Sequence, residues 1–288
     1  MYKVSFVPDL VWWISVAVLG LIAGSFLNVV IYRLPLILRQ RWQNDAQALL
    51  AEAEHEQVSL NFSLFYPGSH CIHCKIPILW RHKIPIISFI LLRGSCAYCH
   101  KPISIRYPVI ELLTMIIWLL VFSIYGVSYM SIVGVLFASS LIALACIDQK
   151  EGYLVDEITI PLIWAGLLLN CFDTIVEAEQ AILGAVLGYA SFFLLNQLFR
   201  LIRGRHGLGQ GDMKLLAAIG AWLGWEILPA LVLIASLSGL IFYGVVRIRQ
   251  NYALSDAIPF GPYLAFSGIL SFLFYPQLKM PFEIIPLM

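Results

Sequence analysis

The chain has 288 residues, 60% of them hydrophobic and 12% charged, with a mean hydropathy of +0.86. Soluble domains carry about 25% charged residues, so this composition excludes a freely soluble enzyme and points to an all-α polytopic membrane protein. The net charge of +1 gives no footprint for nucleic acid, and membrane lipid is the expected surrounding.

A helix that crosses a bilayer needs roughly 20 mostly apolar residues. Candidates follow one another along the chain, centred on 10–30, 108–125, 130–147, 158–172, 181–199, 214–225, 227–246 and 258–275, giving about eight spans. The fourth and sixth are short. The first apolar run has no basic region beyond Lys3 and passes into GSFLNVVIYRLP without a small-residue cleavage site, so it reads as a span and not as a cleaved signal. With the N-terminus outside and alternating spans, every Lys and Arg except Lys3 and Lys279 falls inside. The positive-inside rule therefore predicts an outside N-terminus.

One polar insertion interrupts this pattern. It divides the chain into a first span (1–33), a cytoplasmic domain (34–107) and a further membrane domain (108–288). The stretch RQRWQNDAQALLAEAEHEQ has helix-forming composition and predicts a solvated amphipathic helix. The remainder is rich in Pro, Gly and Cys and predicts irregular structure. It holds Cys71-x-x-Cys74 and Cys96-x-x-Cys99, two turns that can each aim two sulfurs at one point, the pattern of a structural four-thiolate zinc site. Disulfide or redox use is the competing reading, disfavoured by the reducing cytosol in which the topology puts these residues. Cys146 and Cys171 lie in apolar spans and read as packing residues.

Ionisable groups inside spans or at their ends are costly and usually functional. Asp148 closes the third span, and Asp212 opens the sixth in GLGQGDMKLLAAIGAWLGW. Alternating topology brings both to one membrane surface. Gly207, Gly209 and Gly211 precede Asp212; they predict a flexible loop with positive φ and close backbone approach. Lys214 is a candidate partner for Asp212 or for a headgroup, and Asp156 a candidate cap for the fourth span with Thr159 following. Two converging carboxylates can share a proton, one serving as base on water while the other polarises a carbonyl. An ordinary capping aspartate and a proton- or ion-coupled transporter are the alternatives. Against the transporter, no pair of duplicated halves is visible.

The sequence resembles the type IV prepilin leader peptidases, membrane aspartic proteases of the GxGD type. The resemblance runs through GSFLNVVIYRLP, the CxxC pairs around IPIISFILLRG, PISIRYPVIELLT, Asp148 with VDEITIPL, the GLGQGD block and PFGPYLAFSG. It implies that Asp148 and Asp212 are the catalytic aspartates. It further implies cleavage of prepilin or pseudopilin leaders after Gly and before Phe, at the cytoplasmic face of a bacterial inner membrane. Members with the CxxC domain also methylate the new N-terminus with S-adenosylmethionine, which makes Arg93 and Gly94 of the zinc-held loop, and the GSFLNVV segment, candidates for binding that cofactor. Two departures stand out: Val155 where the family usually has Pro, and WRHKIP (Trp80 to Pro85) where many members read WYENIP. The second puts bases where the family has an acid and an amide, in the part of the domain linked to methylation.

Overall fold

The computed structural model describes residues 10–50, 63–205, 207–250 and 259–279. In chain order the described helices are α1 (Leu10–Leu50), α2 (Ile87–Leu91), α3 (Arg106–Tyr125), α4 (Tyr129–Glu151), α5 (Asp156–Asn170), α6 (Ala178–Arg203), α7 (Gln210–Leu223), α8 (Leu228–Gln250) and α9 (Gly261–Lys279). No strand occurs among the described residues; two isolated bridges lie in the cysteine-rich segment. Each expected apolar segment falls on a helix. By length and composition α1, α3, α4, α6 and α8 can cross a membrane. The segments expected as fourth and sixth spans are the shorter α5 and α7, of 15 and 14 residues.

The chain divides into two compact units, residues 1–135 and 136–288. In the first, α1 and α3 pack along each other. Contact is close because Gly24 faces α3: a Cβ there would lie 2.6 Å from Glu111 Cα. Asn28 donates its side-chain N–H to the Tyr107 carbonyl at 3.1 Å, and the buried Arg33 donates to the carbonyls of Ser63, Leu64 and Pro67. The GSFLNVVIYR stretch is thus the docking face of α1. Its 41 residues, about 60 Å at 1.5 Å per residue, run on through Pro35 into the polar stretch without a break. The end of that expected amphipathic helix, 51–57, lies outside the described residues.

The second unit is built around α7. A helix that is apolar on every side must be surrounded by protein or lipid, and Met213 and all residues from Leu215 to Leu223 are buried. α5, α6 and α9 pack on it. The tightest crossing is glycine on glycine: a Cβ on Gly184 of α6 would stand 2.1 Å from the Gly220 carbonyl oxygen of α7. Buried polar groups are satisfied across these contacts. The Trp222 indole donates to the Leu162 carbonyl at 2.8 Å while its ring stacks on Phe137. Asn170 donates to the carbonyls of Ala221 and Trp222 and accepts the N–H groups of Ile175 and Val176. Gly204 and Gly224 take positive φ where α6 and α7 end, the usual glycine stop.

Candidate active site

In the first unit the two knuckles bring Cys71, Cys74, Cys96 and Cys99 together, with all four sulfurs within 4.8 Å of one another and no disulfide. A tetrahedral zinc with bonds of about 2.3 Å has sulfur–sulfur edges of about 3.8 Å. Cys71 Sγ and Cys99 Sγ are 3.8 Å apart, so the donor set fits a single ion. The knuckle backbone prepares it. The Cys74 N–H is the main cause that lowers the Cys71 thiol to about 6, and the Cys99 N–H likewise lowers Cys96. Cys74, although the Ile76 N–H lowers it, is pushed up to about 11 by burial and by the three neighbouring sulfurs. These four residues could hold a metal, which would serve a structural role there by tying together a segment with little core of its own.

Arg93, which is exposed, and Gly94 are the candidates for binding the methyl donor. Both have positive φ in the turn that ends α2, at 50° and 67°. The Gly94 N–H donates to the Phe89 carbonyl and its own carbonyl accepts from Ile103, so its backbone groups serve the module itself. No step of methyl transfer follows from these residues.

In the second unit Asp148 sits buried in the last turn of α4. Gly152, at φ 75°, stops that helix by donating its N–H to the Asp148 carbonyl. The Asp148 side chain accepts, on Oδ2, the N–H of Gly261 at 3.1 Å. Gly261 is the first residue of α9, so the positive end of a helix faces this carboxylate. A Cβ there would lie 2.5 Å from Oδ2, so any larger residue must displace the carboxylate. Gly261 carries no charge and no reactive group, and its sole sequence signal was its place in the PFGPYLAFSG block.

Asp212 is the third residue of α7, and Gly209 is the N-cap. The Gly209 backbone N–H bonds to the Asp212 carboxylate, and the charge of Asp148 also acts on it, so the two carboxylates lie within electrostatic reach. Asp212 therefore does not cap the helix from the N-cap position. It reaches back from the first turn, where the helix end favours an anion. Leu154 links the two sides of the site by packing at both Gly211 and Gly261.

The approach loop departs from expectation in one respect. Gly207, Gly209 and Gly211 do not take positive φ. Their use is steric: a Cβ on Gly207 would lie 2.7 Å from the Phe199 ring, and one on Gly211 2.8 Å from Leu154 Cβ. The loop is held by the buried Asn196 of α6, whose Oδ1 accepts the N–H groups of Gly207 and Leu208 at 2.9 and 3.1 Å. Lys214 pairs with Asp156, at 2.7 and 2.8 Å, and so bridges the starts of α7 and α5 instead of joining Asp212. Asp156 is the first residue of α5 and not its cap. Buried Val155 takes the N-cap place, and its carbonyl accepts from the Thr159 N–H and hydroxyl. Apolar Val at this point suits a buried turn that the family's Pro would also fill.

Comparison with known proteins gives the same extent of likeness from two directions. Residues 18–125 match the family described as "Bacterial Peptidase A24 N-terminal domain", and residues 135–244 match the "Type IV leader peptidase family". The chain is 44% identical over 256 residues to the "Prepilin leader peptidase/N-methyltransferase" of Neisseria gonorrhoeae, covering 89% of this chain and 88% of that one. The protein of the same name from Dickeya chrysanthemi is 44% identical over 260 residues, covering 90% and 92%. That of Aeromonas hydrophila is 40% identical over 255 residues, covering 88% of each. No solved structure matches the chain significantly. With relatives this similar over nearly their full length, the chain belongs to the type IV leader peptidase family.

Proposed function

We propose that this protein is an aspartic endopeptidase of the bacterial inner membrane that removes the leader of prepilins or pseudopilins. The cut falls after Gly and before Phe, at the cytoplasmic face, and Asp148 and Asp212 form the catalytic dyad. The reading is carried by one observation. A buried carboxylate held by the N-terminus of α9 and a second in the first turn of α7 flank Leu154, which packs at both Gly261 and Gly211. Two carboxylates that converge can share one proton. The ionised member removes a proton from a water, which attacks the scissile carbonyl carbon; the protonated member gives its proton to the carbonyl oxygen. Collapse of the resulting diol, with proton return to the leaving nitrogen, breaks the C–N bond and restores the dyad.

The relatives' name supports a second activity, N-methylation of the new N-terminal amine. S-adenosylmethionine would supply the methyl group. Zinc on Cys71, Cys74, Cys96 and Cys99 would stabilise the domain of residues 34–107, with the peptidase built from 108–288. The test is co-expression of Asp148→Asn or Asp212→Asn with a prepilin bearing a Gly-Phe junction. Either variant should leave the substrate uncleaved while inserting normally, and normal processing by either would refute the dyad. Mass spectrometry of the product N-terminus reads both the cut position and the methyl group.

A further inference from the structure

Between Ser63 and Ile110 there is no Asp or Glu, while Lys75, Arg81, Lys83, Arg93, Lys101 and Arg106 are all exposed. Even a four-thiolate zinc centre, with two net negative charges, leaves this module cationic. The same module shows an apolar surface that is exposed among the described residues. Ile87, Ile90 and Leu91 of α2 stand at i, i+3 and i+4, hence on one face, and Ile90 and Leu91 are 66% and 76% exposed. The adjoining turn Trp80–Lys83 presents Trp80 at 79% exposure. Phe89, by contrast, turns inward onto Gly94.

The position of this face follows from one hydrogen bond. The Ile86 N–H, at the start of α2, donates to Glu111 Oε2 at 2.8 Å. Glu111 lies in the second turn of α3, whose 20 residues span about 30 Å, the thickness of a hydrocarbon core. α2 is therefore pinned beside the first turns of a membrane-crossing helix, at the level where headgroups meet acyl chains. The first turns of α3 also expose Ile105, Val109 and Leu112.

We propose that this acid-free module is a membrane-surface anchor: the α2 face and Trp80 enter the headgroup–acyl boundary of an anionic bilayer, and the surrounding Lys and Arg residues pair with lipid phosphates. An apolar helix face, an aromatic residue at the interface and a basic rim are the combination that holds interfacial elements on anionic lipid. A leader peptide with basic residues is repelled by the same charges, so the surface suits lipid and not that substrate.

Hydrogen–deuterium exchange of the full-length, zinc-loaded protein tests the anchor in nanodiscs of phosphatidylcholine alone and of phosphatidylcholine mixed with phosphatidylglycerol. Amides of 80–93 should exchange more slowly in the anionic discs. Lys83→Gln and Arg93→Gln should each reduce that protection roughly 5-fold, the effect of one basic residue at an anionic surface, and Ile90→Asp should abolish it. Retained zinc in each variant shows that the module remains folded. Equal exchange in the two discs, or protection that survives Ile90→Asp, overturns the proposal. So does stronger protection of these amides by an RNA oligonucleotide or an acidic peptide added to the detergent-solubilised protein.

Discussion

Replacing Gly261 by Ala tests whether the N-terminus of α9 holds a working carboxylate. The added Cβ would lie 2.5 Å from Asp148 Oδ2, and real Cβ contacts essentially never fall below 3.0 Å. Leu154 Cδ2, 3.2 Å from the same Cβ, limits retreat in its own direction. The carboxylate must then move by about 0.5 Å or more, and displacements on the order of 1 Å in a catalytic constellation cost about 100-fold in rate. The substitution carries no backbone penalty. Gly261 does not have positive φ, so Ala takes this backbone without strain. Thermal stability should thus change little while kcat for prepilin cleavage by the reconstituted enzyme falls about 100-fold. Full activity of Gly261→Ala would refute the role given to this contact.

Asn196→Leu leaves the Gly207 and Leu208 N–H groups without their acceptor, at about 1–3 kcal/mol for each group that stays dry. Cleavage should fall, and Asn196→Asp, which keeps the acceptor, should restore much of it; equal loss in both variants would count against a loop-holding role. Gly184→Val drives a side chain into the α6–α7 crossing, where even a Cβ would be 2.1 Å from the Gly220 carbonyl. Overpacking of this kind costs about 1–3 kcal/mol or more, so the melting temperature should drop, and an unchanged value would mean that the helices separate easily. Elemental analysis should find about one zinc per chain and a large loss in Cys71→Ser; far less than one in the unaltered protein would refute the four-thiolate centre.

The helices were legible because apolar length is a strong signal: every expected segment from 10–30 to 258–275 falls on one. What composition could not separate was a lipid-facing span from a protein-wrapped helix. α7 reads as short but as apolar as its neighbours, and that it is buried almost throughout follows from Gly184 and Gly220, which permit close approach from α6. The cysteine cluster was legible from spacing, since a CxxC turn has few geometries. In the region of the aspartates, charged residues drew attention and uncharged ones did not. Asp148 and Asp212 were visible as ions in apolar surroundings, whereas Gly261, Asn196 and Leu154 offered no local signal. The Lys214–Asp156 pair had no signal in the sequence, because the two are 58 residues apart and are brought together by the packing of α5 on α7.

The shortness of α7 has a physical consequence for the site. A helix that began at the headgroups would place its first turn in water, where a carboxylate is ionised and unremarkable. A helix of about 21 Å, enclosed by α5, α6 and α9, can begin inside the protein. Asp212 then lies in surroundings where the charge of Asp148 is poorly screened. Two like charges in such a place would drive their helices apart unless something offset them. The amide ends of α7 and α9 do so, each contributing about 0.3–1 kcal/mol at an exposed helix end and more when partly buried. Each end serves a different carboxylate: Gly209 N–H bonds to Asp212, and Gly261 N–H to Asp148. Neither amide carries a charge of its own that could neutralise the pair. A lysine in the same position would have locked both in the ionised form, and Lys214 is kept from it by its pairing with Asp156.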